Sequence, residues 1–381
     1  MIINTEIKTL IATIEKGGPD NDSHVKQLIQ ALSQSFADNQ DRYKNYPASA
    51  AIPEAYPVDE DGYAVTFDPV EDEAGFWDAW SRYGIVVGKN IAPPELCAQT
   101  VARIHEIFND LSGNKCNILD PATYDAMPVD KEGTPILSRG FLEIYHDDAL
   151  AQLRQNIRSY IHHALIWGSP KIWTSFDRLG VKLPSHEGGK ALPLHVDQNP
   201  TIDPDFKTLQ GVLALVDCPA ERGTFRGVPG SRNVFQQYAQ MPGGIGEFVE
   251  LDPQHPIAEE LTNKAQAFPL RAGDMVSWDS RTTHANTENI SQDPRMVFYV
   301  AAGLAQENNA AAVAARKDAF TTGLATSKLK VPQALLRATI KPRFIDAEAV
   351  SRIRKPENLT LLGKLLYGTE RYDDIIPPSA S

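Results

Sequence analysis

Hydrophobic positions recur every three or four residues in several parts of the chain, which is the spacing of a helix with one buried face. Helices with this spacing are predicted at residues 4–16, 24–37, 76–82, 93–111 and 147–167. A segment rich in proline, alanine and acidic residues, 46–72, follows the first two helices and is expected to be an extended connector. The last predicted helix ends before Gly168-Ser169-Pro170, as such breakers require.

Short apolar runs replace the helical pattern after residue 170. They are separated by Pro-Gly, Gly-Gly and Gly-Asp pairs, which are typical of turns. The runs are 192–195, 209–216, 224–228, 275–278 and 296–303, with an earlier one at 84–88. They predict antiparallel strands of a sandwich or barrel rather than alternating strand–helix units. From about Gln306 the chain is expected to be mostly helical, with a packing helix in 359–368.

The charge of the chain narrows its possible partners. The 381 residues carry a formal net charge of −12. An acidic excess repels nucleic-acid phosphates and anionic lipids, so neither nucleic acid nor membrane is expected as a partner, and the oligomeric state stays open. Acidic residues predominate before residue 92 and basic ones after residue 304, so the two ends are expected to dock. The basic stretch 328–355 is expected to be a solvated or docked face rather than a site for a phosphate-bearing tail.

The three cysteines, Cys97, Cys116 and Cys218, form no Cys-x-x-Cys pair and are odd in number. A disulfide framework and a four-cysteine zinc site are therefore excluded. The first residues lack the basic and apolar regions of a signal peptide, and no apolar run approaches the roughly 20 residues of a membrane span. A reduced, cytoplasmic protein is expected.

Histidine is followed two positions later by aspartate at two places, His146 to Asp148 and His195 to Asp197. Asp147 and Asp148 stand where the helix 147–167 is expected to begin, so helix capping explains the first pair. The second pair follows an apolar run, and residues i and i+2 of a strand lie on the same face. His195 and Asp197 are therefore candidate metal ligands.

His284 is the candidate third ligand, because it follows a short predicted strand that begins after Gly273-Asp274. Two histidines and one carboxylate on one face of a metal leave positions open, which is the arrangement of non-haem Fe(II) oxygenases. Arg295 opens the next predicted strand, and a cation beside such a metal is expected to hold a carboxylate. Hydrogen-bonded sheet side chains and a surface arginine are the alternatives.

The order of these motifs resembles the phytanoyl-CoA dioxygenase-like branch of the Fe(II)/2-oxoglutarate-dependent oxygenases. The resemblance covers about residues 76–304. It is carried by the runs 76–87 and 223–231, by His195-Val196-Asp197, by Gly273-Asp274, and by His284, Asn289 and Arg295. Arg232 departs from the pattern, because the family often has histidine after the Pro-Gly-Ser turn.

This resemblance implies an α+β fold with a mainly β core, a double-stranded β-helix (a cupin-like jelly roll) with flanking helices. It implies that His195, Asp197 and His284 bind Fe(II) and carry the catalysis, and that Arg295 holds the distal carboxylate of the co-substrate 2-oxoglutarate. With O2 the family oxidises a C–H bond and forms succinate and CO2. We expect a catalytic domain at 74–304, between an N-terminal helical extension and connector, 1–73, and a C-terminal helical extension packed on the core, 305–381.

Two groups of residues are weaker candidates. Lys182 and Gln198 are candidates for the co-substrate pocket, with solvated loop positions as the alternative. Arg222, Arg226 and Arg232 lie close together in the sequence and are candidates for gripping an anionic group of the substrate. Ordinary pairing with nearby acidic residues is the alternative for them.

The expected activity is hydroxylation of an sp3 carbon in a small metabolite, such as an amino acid, a carboxylic acid or a natural-product intermediate. A non-catalytic jelly-roll protein that binds a metal or a ligand is the first alternative. A zinc hydrolase is the second and less favoured one, because histidine and carboxylate ligands also suit Zn²⁺.

Overall fold

The computed structural model describes residues 1–18, 20–40, 52–130, 132–184, 189–201, 208–241, 249–326, 339–340 and 347–376. The helices in this part of the chain are α1 Thr5–Lys16, α2 Asn21–Asp38, α3 Glu73–Tyr83, α4 Pro94–Ser112, α5 Asp148–Arg154, α6 Ile157–Trp167, α7 Ala258–Lys264, α8 Ala310–Thr322, α9 Ala347–Ile353 and α10 Leu361–Tyr367.

The strands form two antiparallel sheets and a short separate pair. They are β1 Ile85–Gly88, β2 Phe141–Leu142, β3 Ile172–Thr174, β4 Leu179–Lys182, β5 His195–Val196, β6 Leu209–Ala214, β7 Phe225–Gly227, β8 Val249–Glu250, β9 Gln266–Phe268, β10 Met275–Asp279, β11 His284–Asn286, β12 Arg295–Leu304, β13 Ala325–Thr326 and β14 Thr339–Ile340. The major sheet has the order β1-β10-β6-β12-β4-β2, with β3 also on β12, and the minor sheet has the order β8-β5-β11-β7-β9. Strands β13 and β14 form the separate pair.

This arrangement confirms the expected α+β fold with a mainly β core, a jelly roll flanked by helices. The major sheet is long and central: β12 pairs with β6 over six positions and with β4 over four. Its strands are buried almost throughout, since helices cover one face and the minor sheet lies opposite the other. The predicted strands 209–216, 275–278 and 296–303 correspond to β6, β10 and β12.

Two predicted elements are wrong in extent. The helix predicted at 147–167 is two helices, because Gln155 ends α5 and Asn156 begins α6 by accepting a hydrogen bond from the backbone N–H of Arg158. The strand predicted at 192–195 is reduced to β5, which begins only at His195. Apolar periodicity continues across both breaks, so it does not detect a cap or a loop of this kind.

The two ends of the chain lie against each other. Helix α2 contacts α10, and the side-chain amide of Gln30 donates to the carbonyl of Ile375. The buried positions of α2 are mostly apolar, including Leu28 and Leu32, so apolar packing contributes to this contact alongside hydrogen bonds. Most of the basic stretch 328–355 lies outside the described residues, and the proposed domain boundaries stay predictions.

The helices of the described segments include none that combines the length and the apolar character needed to cross a membrane.

Candidate metal centre and co-substrate cavity

Strands β5 and β11 bring the two candidate histidines side by side. His195 and His284 are register partners in the minor sheet, and their ring centroids are 4.4 Å apart. Both side chains are buried, at 5% and 6% exposure. Strand pairing therefore places next to each other two residues that are far apart in the sequence.

Each imidazole forms a hydrogen bond with the backbone carbonyl of the residue two positions before it. His195 Nδ1 lies 2.8 Å from the carbonyl oxygen of Pro193, and His284 Nδ1 lies 2.9 Å from that of Thr282. A carbonyl oxygen only accepts hydrogen bonds, so each Nδ1 carries the proton and donates it. The other ring nitrogen of each histidine, Nε2, faces Asp197, in the orientation that metal-binding histidines require.

Asp197 completes the cluster. Its Oδ1 is 4.0 Å from His195 Nε2, and its Oδ2 is 3.5 Å from His284 Nε2. One ligand atom from each of the three residues lies within 4.8 Å of the others. Atoms bound to one ion at about 2.1 Å lie about 3 Å apart when the bonds are perpendicular, so a small closure brings all three to a metal. Two nitrogens and one carboxylate form the donor set of a non-haem Fe(II) site.

A cavity of about 450 Å³ opens beside these three residues. Its other wall is the face of the major sheet, with β4, β6, β10 and β12 contributing side chains. The volume lies in the lower half of the range of about 300–1,000 Å³ that is usual for small-molecule sites.

Arg295, the first residue of β12, lines this cavity and is only 1% exposed. Its Nη1 donates to the hydroxyl of Tyr299 at 3.3 Å, and its Nε has no acceptor among the described residues. A buried guanidinium with unused donors is costly unless an anion joins it. The geometry therefore suits the role expected for Arg295, to bind a carboxylate.

Lys182 lies beside Arg295 as its register partner on β4, and it also lines the cavity. Its Nζ donates to Asn286 Oδ1 at 2.5 Å and to the carbonyl oxygens of Lys190 and Thr287 at 2.7 and 3.3 Å. Burial, together with the positive charge of Arg295, lowers the pKa of Lys182 to about 7. Since an ammonium has three donors, all are used within the protein. Lys182 therefore adds positive charge to the pocket, but its three N–H groups already donate to protein acceptors.

Gln198 is buried but does not belong to the cavity wall. It is 3% exposed, and its Oε1 accepts a hydrogen bond from Ser280 Oγ at 2.8 Å. The expectation that Gln198 lines the co-substrate pocket is therefore corrected: its Oε1 is bonded to Ser280, and Gln198 is not among the described residues that line the cavity.

Arg222 and Arg226 do not line the cavity either. Arg222 donates from Nε and Nη1 to the carbonyl oxygens of Pro294 and Asp217, both at 3.0 Å. Arg226 lies on β7 next to Phe225, which does line the cavity, and successive strand residues point to opposite faces. The role expected for this pair is corrected, because turn contacts and strand alternation direct them elsewhere.

Arg232 is also turned away from the cavity. Its Nη2 donates to the carbonyl oxygen of Ser81 at 2.6 Å, and its guanidinium lies 5.8 Å from the ring of Trp80. It links helix α3 to the start of the 3₁₀ segment Ser231–Gln240. The expected contact of Arg232 with the substrate is corrected in the same way.

The other histidine–aspartate motif, at His146, is explained by helix capping, and the structure agrees with that. The carboxylate of Asp147 accepts from the backbone N–H of Ala149 at the start of α5. His146 is buried, with Nδ1 at 3.0 Å from Glu357 and Nε2 at 3.1 Å from the carbonyl of Leu324. Both ring nitrogens are occupied by the protein, so helix capping and packing explain this motif.

Sequence reasoning missed Arg178 and Gln210, which both line the cavity. A signal for Arg178 is present: Arg178, Gly180 and Lys182 alternate, so they share one face of β4. Gly180 leaves that face open, since a Cβ there would lie 2.6 Å from Tyr299 Cε2. Gln210 is the polar exception in the apolar run that forms β6.

The jelly roll, the His-Asp-His cluster and the buried arginine on one cavity define the class of Fe(II)- and 2-oxoglutarate-dependent oxygenases. The family model of phytanoyl-CoA dioxygenase (PhyH) matches residues 80–297, more than half of the chain. The chain belongs to this family. Its cofactor is therefore Fe(II), and 2-oxoglutarate and O2 are its co-substrates.

Individual relatives are distant. The Ava biosynthesis cluster protein O of Aspergillus versicolor is 24% identical over 251 residues, which cover 62% of this chain and 79% of that protein. The structure of the hypothetical protein JW0805 from Escherichia coli is 17% identical, covers 95% of this chain and 96% of its own, and has a TM-score of 0.56. The epimerase SnoN, solved with Fe³⁺, alpha-ketoglutarate and nogalamycin RO, is 18% identical, with coverages of 76% and 97% and a TM-score of 0.45. The likeness to JW0805 supports the fold alone.

Proposed function

We propose that this protein is a hydroxylase that acts on an sp3 carbon of a small metabolite, with His195, Asp197 and His284 as ligands of Fe(II) and Arg295 as the anchor of 2-oxoglutarate. One observation carries the proposal. Two imidazole Nε2 atoms, a carboxylate and a buried arginine with an unused donor meet on one cavity.

The residues fit the iron that the family requires. Their donors are two neutral imidazoles and one carboxylate, so a divalent ion is only partly neutralised and keeps positions for further ligands. When bound, the metal supplies the activation of O2 coupled to decarboxylation of 2-oxoglutarate. The chain itself orients the ligands through the carbonyl groups of Pro193 and Thr282.

The pocket also fits a small substrate. Arg295 offers its donors to one carboxylate of 2-oxoglutarate, and Lys182 adds charge from the neighbouring strand. The cavity of about 450 Å³ has to hold this co-substrate and the reacting part of the substrate. The name of the Aspergillus relative, a biosynthesis cluster protein, agrees with a natural-product intermediate as one of the candidate substrates.

The experiment is a titration of the protein with Fe(II) and 2-oxoglutarate under anaerobic conditions. We expect a visible metal-to-ligand charge-transfer band, and succinate formation when air is admitted. His195→Ala should abolish both, whereas Arg226→Gln, an arginine outside the cavity, should keep both. Absence of the band and of succinate in the wild type would show that the proposal is wrong.

Two further measurements separate the alternatives. A non-catalytic binding protein would form the complex but release no succinate under air with any member of a library of amino acids and carboxylic acids. A zinc hydrolase would retain Zn²⁺ in metal analysis after both aerobic and anaerobic purification, and Fe(II) would not raise its activity.

A further inference from the structure

Arg178 is a cavity residue whose guanidinium has little to bind within the protein. Its side chain is 11% exposed and lies over the ring of Phe141, 4.2 Å from the centroid. The carboxylate of Asp177 approaches its Nη1 only to 3.9 Å, which is beyond hydrogen-bond distance. The buried Nε has no acceptor, and the guanidinium donates no hydrogen bond to any residue of the described segments. Several strong donors are therefore left for a ligand.

These donors are separate from the anchor assigned to 2-oxoglutarate. Arg178 directly precedes β4, while Lys182, the register partner of Arg295, ends that strand. Four residues of strand span about 13 Å. This is a distance between backbones, since the Arg295 guanidinium reaches back along β12 to the hydroxyl of Tyr299. One carboxylate of 2-oxoglutarate at Arg295 and its other end at the metal still leave the donors of Arg178 unused. A different anion is therefore needed to accept hydrogen bonds from the Arg178 guanidinium.

Two more buried donors face the same cavity. Gln210 Nε2 and Trp278 Nε1 have no acceptor among the described residues, and the two residues are register partners on β6 and β10. Buried N–H groups without acceptors are rare in folded proteins and usually indicate a missing ligand or water. The wall of the major sheet is thus rich in donors, so it suits a ligand with several oxygen acceptors.

The charges around the cavity support an anion at this wall. Arg139 is exposed, lines the same cavity as Arg178 and adds a further cation to it. The acidic lining residues other than Asp197 are Asp177 and Glu250. Asp177 uses its Oδ1 to accept from the backbone N–H of Arg178, and Glu250 lies on β8, in the opposite sheet. Neither carboxylate therefore fills the hydrogen-bonding capacity of the Arg178 side chain.

We propose that the substrate is a small carboxylic acid, that the Arg178 guanidinium binds its carboxylate, and that the Gln210 amide donates to a further oxygen of the same molecule. This inference rests on the proposed function and names the substrate class of that site. A guanidinium suits this task because its planar fork matches a carboxylate with two parallel hydrogen bonds. The apolar lining, which includes Phe141 and Val212, would contact the remainder of the substrate.

The test uses the full-length protein with Fe(II) and saturating 2-oxoglutarate. Probes are a panel of small aliphatic and aromatic carboxylic acids, each matched with its primary amide. Binding is read anaerobically as a shift of the charge-transfer band, and turnover is read aerobically as succinate. We expect acids to shift the band and stimulate succinate at least tenfold more than their amides. With the best acid, Arg178→Gln should raise KM at least tenfold with a smaller change in kcat.

Control variants make the result specific. Arg178→Lys keeps the charge but not the fork, so it should restore part of the affinity. Arg226→Gln should behave as the wild type. Both Arg178 variants should retain the charge-transfer band with 2-oxoglutarate alone, which shows that fold, metal site and co-substrate site are intact.

The two proposals fail in different ways. If the wild type shows no band with Fe(II) and 2-oxoglutarate, the proposed function fails. If the band forms but no acid acts, or amides act as well as acids, or Arg178→Gln leaves the KM of the acid unchanged, the carboxylate site is overturned and the proposed function stands.

Discussion

The two sheets of the jelly roll build the site in different ways. The minor sheet supplies both histidines from strands of two and three residues, and each imidazole is held by a carbonyl two positions earlier. The major sheet supplies the cations Arg295 and Lys182 from longer strands, where position is set by pairing over four to six residues. Local hydrogen bonds orient the ligands, whereas long-range register places the charges.

The two sheets also differ in the free-energy cost of their buried polar groups before a ligand binds. The Nδ1 proton of each histidine is bound by a backbone carbonyl, so ordinary hydrogen bonds hold both ligands in the minor sheet before a metal binds. Arg295 is buried with an unused donor, so the major sheet holds an unfavourable charge that an anion relieves. Changes in the minor sheet should therefore affect metal binding, and changes in the major sheet should affect 2-oxoglutarate binding and stability.

The largest effect is expected for His284→Ala in the minor sheet. Loss of an outer hydrogen-bond partner of a metal ligand already costs 10- to 100-fold in affinity, so loss of the ligand itself should lower Fe(II) affinity by more than about 100-fold. Calorimetric titration with Fe(II) under anaerobic conditions measures this. The buried ring also contacts the rings of His195, Phe225 and Trp278, so the melting temperature without metal should fall as well and is measured separately from Fe(II) affinity. Retained Fe(II) binding would contradict the assigned ligand set.

Arg295→Ala in the major sheet should weaken the binding of 2-oxoglutarate and leave the binding of Fe(II) unchanged. A hydrogen bond to a charged group contributes about 1.5–3 kcal/mol, which corresponds to roughly 10- to 150-fold in Kd. The dependence of the charge-transfer band on 2-oxoglutarate concentration measures the change, and Fe(II) affinity alone is the control. An unchanged Kd for 2-oxoglutarate would favour a binding protein of another kind.

Gly180→Ala should disturb the major sheet by crowding. The new Cβ would lie 2.6 Å from Tyr299 Cε2 and 2.8 Å from Val297 Cγ2, so the ring that accepts from Arg295 has to move. Overpacking of this kind costs about 1–3 kcal/mol in the free energy of unfolding, which urea denaturation measures. Gly227→Ala is the matched change in the minor sheet, where a Cβ would meet the ring of Phe225 at 2.8 Å. Only Gly180→Ala should also weaken the binding of 2-oxoglutarate. Equal weakening in Gly180→Ala and Gly227→Ala would contradict the difference between the two sheets.

The smallest effect concerns Asp274, a carboxylate buried in the turn before β10. Burial raises its pKa to about 6, so the folded state binds this proton more tightly than the unfolded state. Above pH 6 the folded protein holds an unfavourable charge, and that penalty disappears as the pH falls towards 4. Asp274→Asn keeps an oxygen for the backbone N–H of Asn90 and should be more stable at pH 7.5, by the order of 1 kcal/mol. Denaturation at pH 7.5 and pH 4.5 tests this, and an equal difference at both values would contradict it.

The candidate ligands could be predicted from the sequence because their signals are local. The i, i+2 spacing of His195 and Asp197 on a predicted strand implies one face, and Arg295 opens a clear apolar run. Capping likewise explained Asp147 beside His146 without any tertiary information. By contrast, the three clustered arginines at 222, 226 and 232 gave a misleading signal, because proximity in sequence does not tell which face of a strand or turn each side chain takes.

The sequence by itself therefore determined the class of fold, the strands β1, β6, β7, β10 and β12 and the residue types of the candidate metal site, since periodicity and short spacings are properties of the chain alone. Only the tertiary structure decided that His284 pairs with His195, that Gln198 is bonded to Ser280, and that Arg178 rather than Arg222 faces the cavity. These outcomes depend on strand register and burial. Both arise from contacts between residues far apart in the sequence, so no local pattern encodes them.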